Sequence, residues 1–465
     1  MLGRGPFGIP PALWVLWVAY VLTVSGRVGN QDVEVTLSMS RAMVEGRVEF
    51  PEKMAGSVRG RDGIRTSPYG VGHSLYLVPY LEAGRAAAKV VPKLPVAMWE
   101  EFVVSFSNVP VIAGLMAYLV AAWRRMGATE ARVAVGVGLF GLCSMVWPYS
   151  KLPFSDSLLA LAVFGAWFHW TRGHGGRDAL LGGLWLGAAL VSRRQADSVV
   201  PILVLLAAVD AWRQGSSSRI GWLVAGLVPA VALRLAFNWA RFGGMFLEKH
   251  PGMAGVEEVV RSDPAARFWE VLFSSSYGFV PYNLVPLAVL VAGFAGLWRH
   301  RRNDAVVTVA MLAGGIGFLS LMRFGSGVSF GSRYLLYTVA FLGLAWPWVP
   351  WPQPGWARWM WAPVVAGSLW LMAGGAALDP VPVMYRVKAV EPPLRQWKGF
   401  YGEWGRVLSS KAHADLSVLE TNVIWQHDAF RRPDFWWCHL AARFGRGSLA
   451  HGTGDQPPVP AETAR

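Results

Sequence analysis

The stretch FVVSFSNVPVIAGLMAYLVAAWRR, residues 102–125, is apolar over the roughly 17 to 25 residues that a helix needs to cross a bilayer, and it stops on two arginines. Comparable runs lie near 9–25, 131–148, 154–171, 178–193, 196–212, 219–240, 282–298, 305–322, 333–349 and 357–378. About eleven spans are therefore expected. Over 465 residues the chain is 54% hydrophobic and 15% charged, with a mean hydropathy of +0.35, too apolar for an ordinary soluble enzyme. Its 25 Trp and 12 Tyr suit the aromatic belts that form where acyl chains meet headgroups.

The arginines orient the spans. Arg124, Arg125 and Arg132, then Arg172 and Arg177, Arg213 and Arg219, Arg299, Arg301 and Arg302, and finally Arg358 fall in alternate short links. The positive-inside rule makes those links cytoplasmic. The N-terminus is then inside, and 26–101, 241–281 and the tail from 379 are outside. The formal charge of +14 is explained by topology and anionic lipid, so nucleic acid is not expected as a partner. Arg4 before an apolar run and Ser25-Gly26 after it also fit a cleaved signal peptide. Cys143 and Cys438 form no disulfide framework or CxxC site.

Three regions follow: a membrane domain over 1–378, an extracytoplasmic segment over 379–451 and a Pro- and Gly-rich disordered tail over 452–465. Within the first outer loop, Val35, Met39, Ala42 and Met43 share one face of a helix, and Glu34, Ser38, Arg41 and Glu45 share the other. That amphipathic helix is expected to lie on the membrane surface. Residues 51–73 read as irregular loop, and 74–91 as a second helix too polar to span. The loop thus returns to the membrane as a lid.

Topology does not explain the basic residues on the outer side: Lys151, Arg193, Arg194, Arg241, Arg323 and Arg333. Guanidinium groups pair bidentately with phosphate oxygens and stabilise a leaving phosphate where water is thinned out. Each also suits ordinary lipid or an ion pair with Asp156, Asp197 or Glu248. Among the acids, Asp32 lies just past the first span, where a carboxylate reaches a substrate hydroxyl as general base. The same position equally suits a helix N-cap. Glu34 is the alternative acid. Ser155 and Asp156 open the next helix and suit either capping or sugar binding. The nine His show no metal-ligand spacing; His73 and His250 read as solvated surface residues. Gly182, Gly183 and Gly187, with Gly314, Gly315 and Gly317, read as close-packing positions between helices. RRPDFWWCHL at 431–440 suits an anchor in the headgroup layer.

Five segments together resemble the GT-C superfamily of multi-span glycosyltransferases, related to protein mannosyltransferases and aminoarabinose transferases. They are QDVEVTLSMSRAMVEGRVEF (31–50), RDGIRTSPYGVGHSLYLVPYL (61–81), WPYSKLPFSDSLLAL (147–161), FNWARFGGMF (237–246) and SFGSRYLL (329–336). The resemblance implies an all-α polytopic fold whose large first extracytoplasmic loop carries juxtamembrane helices. It places Asp32 at the catalytic carboxylate, and Tyr69, Lys151, Asp156, Arg193, Arg194, Arg241 and Arg333 around the donor. Two departures stand out: Pro68 replaces a basic residue, shifting a phosphate contact to Arg65 or Lys151, and the acidic position reads QD rather than GD or DE. The implied reaction is inverting transfer of a sugar from a polyprenyl phosphate to a lipid, glycan or protein acceptor, on the outer face of a bacterial inner membrane. No cofactor is expected, and a divalent metal is left open. Two other classes fit a chain of many spans: a lipid or small-molecule transporter, and a non-catalytic envelope-assembly protein.

Overall fold

The computed structural model describes residues 9–28, 30–50, 56–92, 94–173, 175–246, 263–274, 278–322, 331–350, 356–377 and 436. Arg323, Glu248, His250, Cys438 and the expected disordered tail lie outside these residues. The described chain is mostly helical. Helix α1 (Pro11–Thr23) leads to α2 (Gln31–Val44), and a two-stranded antiparallel hairpin follows, β1 (Val58–Arg59) with β2 (Arg65–Thr66). Then come α3 (Val71–Val90), α4 (Val96–Ser105), α5 (Asn108–Arg125), α6 (Glu130–Leu142), α7 (Val146–Lys151) and α8 (Ser155–Arg172). The order continues through α9 (Gly176–Ser192), α10 (Ala196–Arg213), α11 (Ser218–Phe242), α12 (Pro264–Phe273), α13 (Phe279–Tyr282) and α14 (Leu284–His300). It ends with α15 (Arg302–Leu321), α16 (Leu336–Leu342) and α17 (Trp356–Ala377).

Helical structure occupies each apolar run. Among the described residues, three helical stretches are long and apolar enough to cross a membrane: Val96–Arg125, which joins α4 to α5, α11 and α15. Others are shorter, and 13-residue α1 rises only about 20 Å against a hydrocarbon core of roughly 30 Å. Helix α10 carries Asp197, Asp210 and Arg213 at its ends. The run 333–349 is not one helix. It divides into a 3-10 turn at Arg333–Leu335, α16, and a second 3-10 stretch at Gly343–Trp348 containing Pro347, nearly all of it buried.

Small residues let the helices close on one another. A Cβ on Gly183 would strike the Leu223 carbonyl, and one on Gly226 would strike the Leu180 carbonyl, so α9 and α11 meet backbone to backbone. Gly187 faces Ala230, and Gly315 faces Tyr337. Gly317 differs from the expectation, since a Cβ there would meet nothing within 4 Å.

The first loop is more ordered than its sequence suggests. Residues 58–66 form the hairpin rather than irregular loop, turning through Asp62 and Gly63 at positive φ. Helix α3 starts at Val71, ahead of the expected 74. The apolar face of α2 is spent on protein: Val35 and Met39 are buried with Phe50, Val71, Val191 and Phe237. Buried Glu100 on α4 accepts hydrogen bonds from Arg41 of α2 and Arg85 of α3, both at 2.8 Å, and ties the three loop helices together. Trp436, from the segment expected in the headgroup layer, donates its indole N–H to the Val21 carbonyl at the end of α1 and packs on Phe102 and Phe106.

Candidate functional site

The capping question at α2 is resolved by its neighbour. Asn30 is the N-cap, and its side chain accepts the Asp32 backbone N–H at 2.8 Å. The Asp32 carboxylate is therefore spared for other partners. It accepts from the Tyr69 hydroxyl at 2.6 Å on one oxygen and from an Arg333 nitrogen at 3.0 Å on the other. The Asp32 side chain remains 30% exposed, while that of Arg333 is 7% exposed.

A second pair adjoins the first. Arg193, just past the end of α9, places Nε 3.1 Å from an Asp156 oxygen and donates to Ser155 Oγ at 2.6 Å and to Gln195 at 2.8 Å. Asp156 is 1% exposed, and among the described residues neither of its oxygens has a hydrogen bond of good geometry, so its attraction to Arg193 is chiefly charge on charge. Tyr334 joins the pairs: both guanidinium groups lie against its ring, Arg193 at 5.1 Å and Arg333 at 5.0 Å. Arg333 also sits over Phe154 at 4.9 Å. The result is an alternating cluster of Asp32, Arg333, Asp156 and Arg193, walled by aromatic rings.

The YGVG segment makes this meeting possible. A Cβ on Gly70 would strike the Val191 carbonyl, and one on Gly72 would fall 2.6 Å from a Val191 methyl. Only glycine lets the start of α3 lie against the end of α9, which sets Tyr69 beside Arg193 and Asp32. Arg241 secures the same loop from α11. It donates to the carbonyls of Ser67 and Tyr69, bonds Asn238 at 2.8 Å, and stacks on Phe237 and Phe242.

Burial pushes the Asp32 pKa up, but the Arg333 charge, the Tyr69 hydrogen bond and the Arg193 charge together prevail and hold it below the usual carboxylate range. Burial and then the Asp32 charge raise the Tyr69 phenol, so it stays protonated and donates. His73 corrects the expectation of a surface residue. It is 3% exposed, and burial together with Arg193 pushes its pKa down to about 3, leaving a neutral ring whose Nε2 has no hydrogen-bond partner among the described residues. Glu34, the alternative acid, is raised by burial and held back by Arg41.

Of the residues singled out in the sequence, Asp32, Tyr69, Asp156, Arg193 and Arg333 thus come together, and Arg241 braces them. Lys151 is fully buried and donates to the Ala376 carbonyl of α17 at 3.0 Å. Arg194 is exposed beside Arg193. Tyr334, Phe154 and the cap Asn30 complete the site beyond the residues the sequence singles out. Asn30 had a signal in the strong N-cap preference of Asn, whereas the rings are set by tertiary packing alone. Among the described residues, no three His, Cys, Asp or Glu gather as a metal site. No protein-family model matches the chain, and no curated protein matches it.

Proposed function

We propose that the chain is a membrane glycosyltransferase that moves a sugar from a polyprenyl-phosphate donor to an acceptor hydroxyl at the outer face of the membrane. The observation that carries this reading is the Asp32 carboxylate, freed from capping by Asn30, kept ionised and 30% exposed between two arginines. Three helical stretches with the length and apolarity to span a membrane support a lipid-embedded enzyme. The resemblance of five ordered segments to GT-C transferases supports the reaction class.

In that reaction the acceptor oxygen attacks the anomeric carbon from the side opposite the phosphate. The new C–O bond forms with inversion as the bond to the phosphate oxygen breaks. The hydroxyl proton passes to Asp32, and the polyprenyl phosphate leaves with the bonding electrons. Arg333 and Arg193 stabilise that leaving charge, the larger electrostatic contribution. Engaging Arg333 with phosphate also withdraws a cation from Asp32, which raises its basicity only when donor is bound. Arg241 and Tyr69 position the loop and the carboxylate.

One observation favours a rival. The four charges already neutralise one another, as they would if they merely fastened α2 and α9 to the 333–335 turn in a non-catalytic protein. Thermal stabilisation of the purified protein by polyprenyl phosphates, polyprenyl-phosphate sugars and soluble nucleotide sugars separates the two. The transferase is stabilised selectively by a lipid-linked sugar, and Arg333→Ala loses that response. No stabilisation by any of them would favour the fastener.

A further inference from the structure

A cavity of about 490 Å³ opens at the other end of the bundle, lined by α8, α9, α10, α11 and α15. Along α8, Asp156 and Thr171 mark the two sites, 15 residues or about 23 Å apart. The cavity therefore belongs to a different surface from the Asp32 cluster, the one whose links carry the cytoplasmic arginines.

Its walls are graded. At the helix ends stand Arg213, Arg302, Asn303, Asp210 and Thr171; about two turns deeper along α10, the lining is Leu203, with Leu186 and Leu223 beside it. Arg213 and Arg302 are both exposed, and among the described residues Arg213 makes no hydrogen bond or ion pair. Arg302 lies over the Trp298 ring, at 5.2 Å. Asp210 does not cancel them. Its oxygens are taken by Trp170 at 3.0 Å and Asn303 at 3.1 Å, and its charge is opposed by buried Arg219. Between the charged rim and the apolar floor lies Trp167, 4% exposed, whose indole N–H has no hydrogen-bond partner among the described residues. A buried donor without an acceptor is costly unless something supplies one.

We infer that this cavity binds an anionic glycerophospholipid of the membrane. The phosphodiester meets Arg213 and Arg302 at the rim, an ester carbonyl accepts from Trp167 about one turn further in, and an acyl chain fills the leucine-lined floor. The volume falls within the range of small-ligand sites. This inference needs the chain to sit in a membrane but does not depend on sugar transfer.

The test is native mass spectrometry of the full-length protein, stripped of lipid in a nonionic detergent and titrated with phosphatidylglycerol or phosphatidylcholine of identical chains. Phosphatidylglycerol is expected to bind about tenfold tighter or more. Arg213→Ala/Arg302→Ala, at exposed positions, should erase that preference, and Ala207→Trp, which fills the cavity, should weaken both lipids. Inorganic phosphate should not compete. Equal affinity for the two lipids, an unchanged preference in the double variant, or competition by phosphate alone would each overturn the inference.

Discussion

Removal of Arg193 should be the most damaging single change in the charged cluster. Asp156 is 1% exposed, has no well-formed hydrogen bond to either oxygen, and faces Arg193 at 3.1 Å. Arg193→Ala leaves that carboxylate buried without its nearest counter-charge, a situation that costs about 3–5 kcal/mol. The bonds to Ser155 and Gln195 are lost as well. Adding Asp156→Asn removes the stranded charge while keeping the volume, so the double variant should recover most of the loss. The assay is reversible unfolding in mixed micelles, followed by circular dichroism for wild type, both single variants and the double. A double variant as unstable as Arg193→Ala alone would refute the claim that the pair is held by charge.

Asp32 sets a pH dependence. Its pKa is depressed in the fold, so the stability it contributes is full above the unfolded carboxylate value of about 3.9 and is lost as pH falls through the lower folded value. Tyr69→Phe removes one of the interactions that lower it, so acid unfolding should begin at a higher pH than in wild type; identical acid transitions would contradict this. Gly70→Ala should cost about 1–3 kcal/mol, because the new Cβ strikes the Val191 carbonyl. The same substitution at Gly317, where nothing lies within 4 Å, should be neutral or stabilising, and denaturation in micelles compares the two.

The helices were legible because lipid-length apolar runs and terminal arginines are local signals. Gly176–Ser192 and Ala196–Arg213 fall within two residues of the expected 178–193 and 196–212. The run 333–349 misled because an apolar stretch reads alike whether it crosses as one helix or is buried in pieces, as Pro347 and the flanking 3-10 turns require. The hairpin at 58–66 is not legible in the sequence, since two-residue strands leave too little alternation to detect. For the site, residue types and order pointed to Asp32, Asp156, Arg193 and Arg333. Their pairing could not be read, because Asp32 meets Tyr69 from 37 residues away and Arg333 from 301. His73 departs from expectation for the same reason: its polarity suggests the surface, while the close contact of α3 with α9 through Gly70 and Gly72 buries it.

The most direct test measures transfer from a polyprenyl-phosphate sugar by the purified protein carrying Asp32→Asn, beside Asn30→Ala. Asparagine keeps an acceptor for Tyr69 but is no base, so Asp32→Asn should lower the rate about a hundredfold or more with the folded protein retained. Asn30→Ala, which removes the cap at a cost of about 1 kcal/mol, should remain active. Full activity in Asp32→Asn, or an equal loss in both variants, would contradict the assignment of Asp32 as the base.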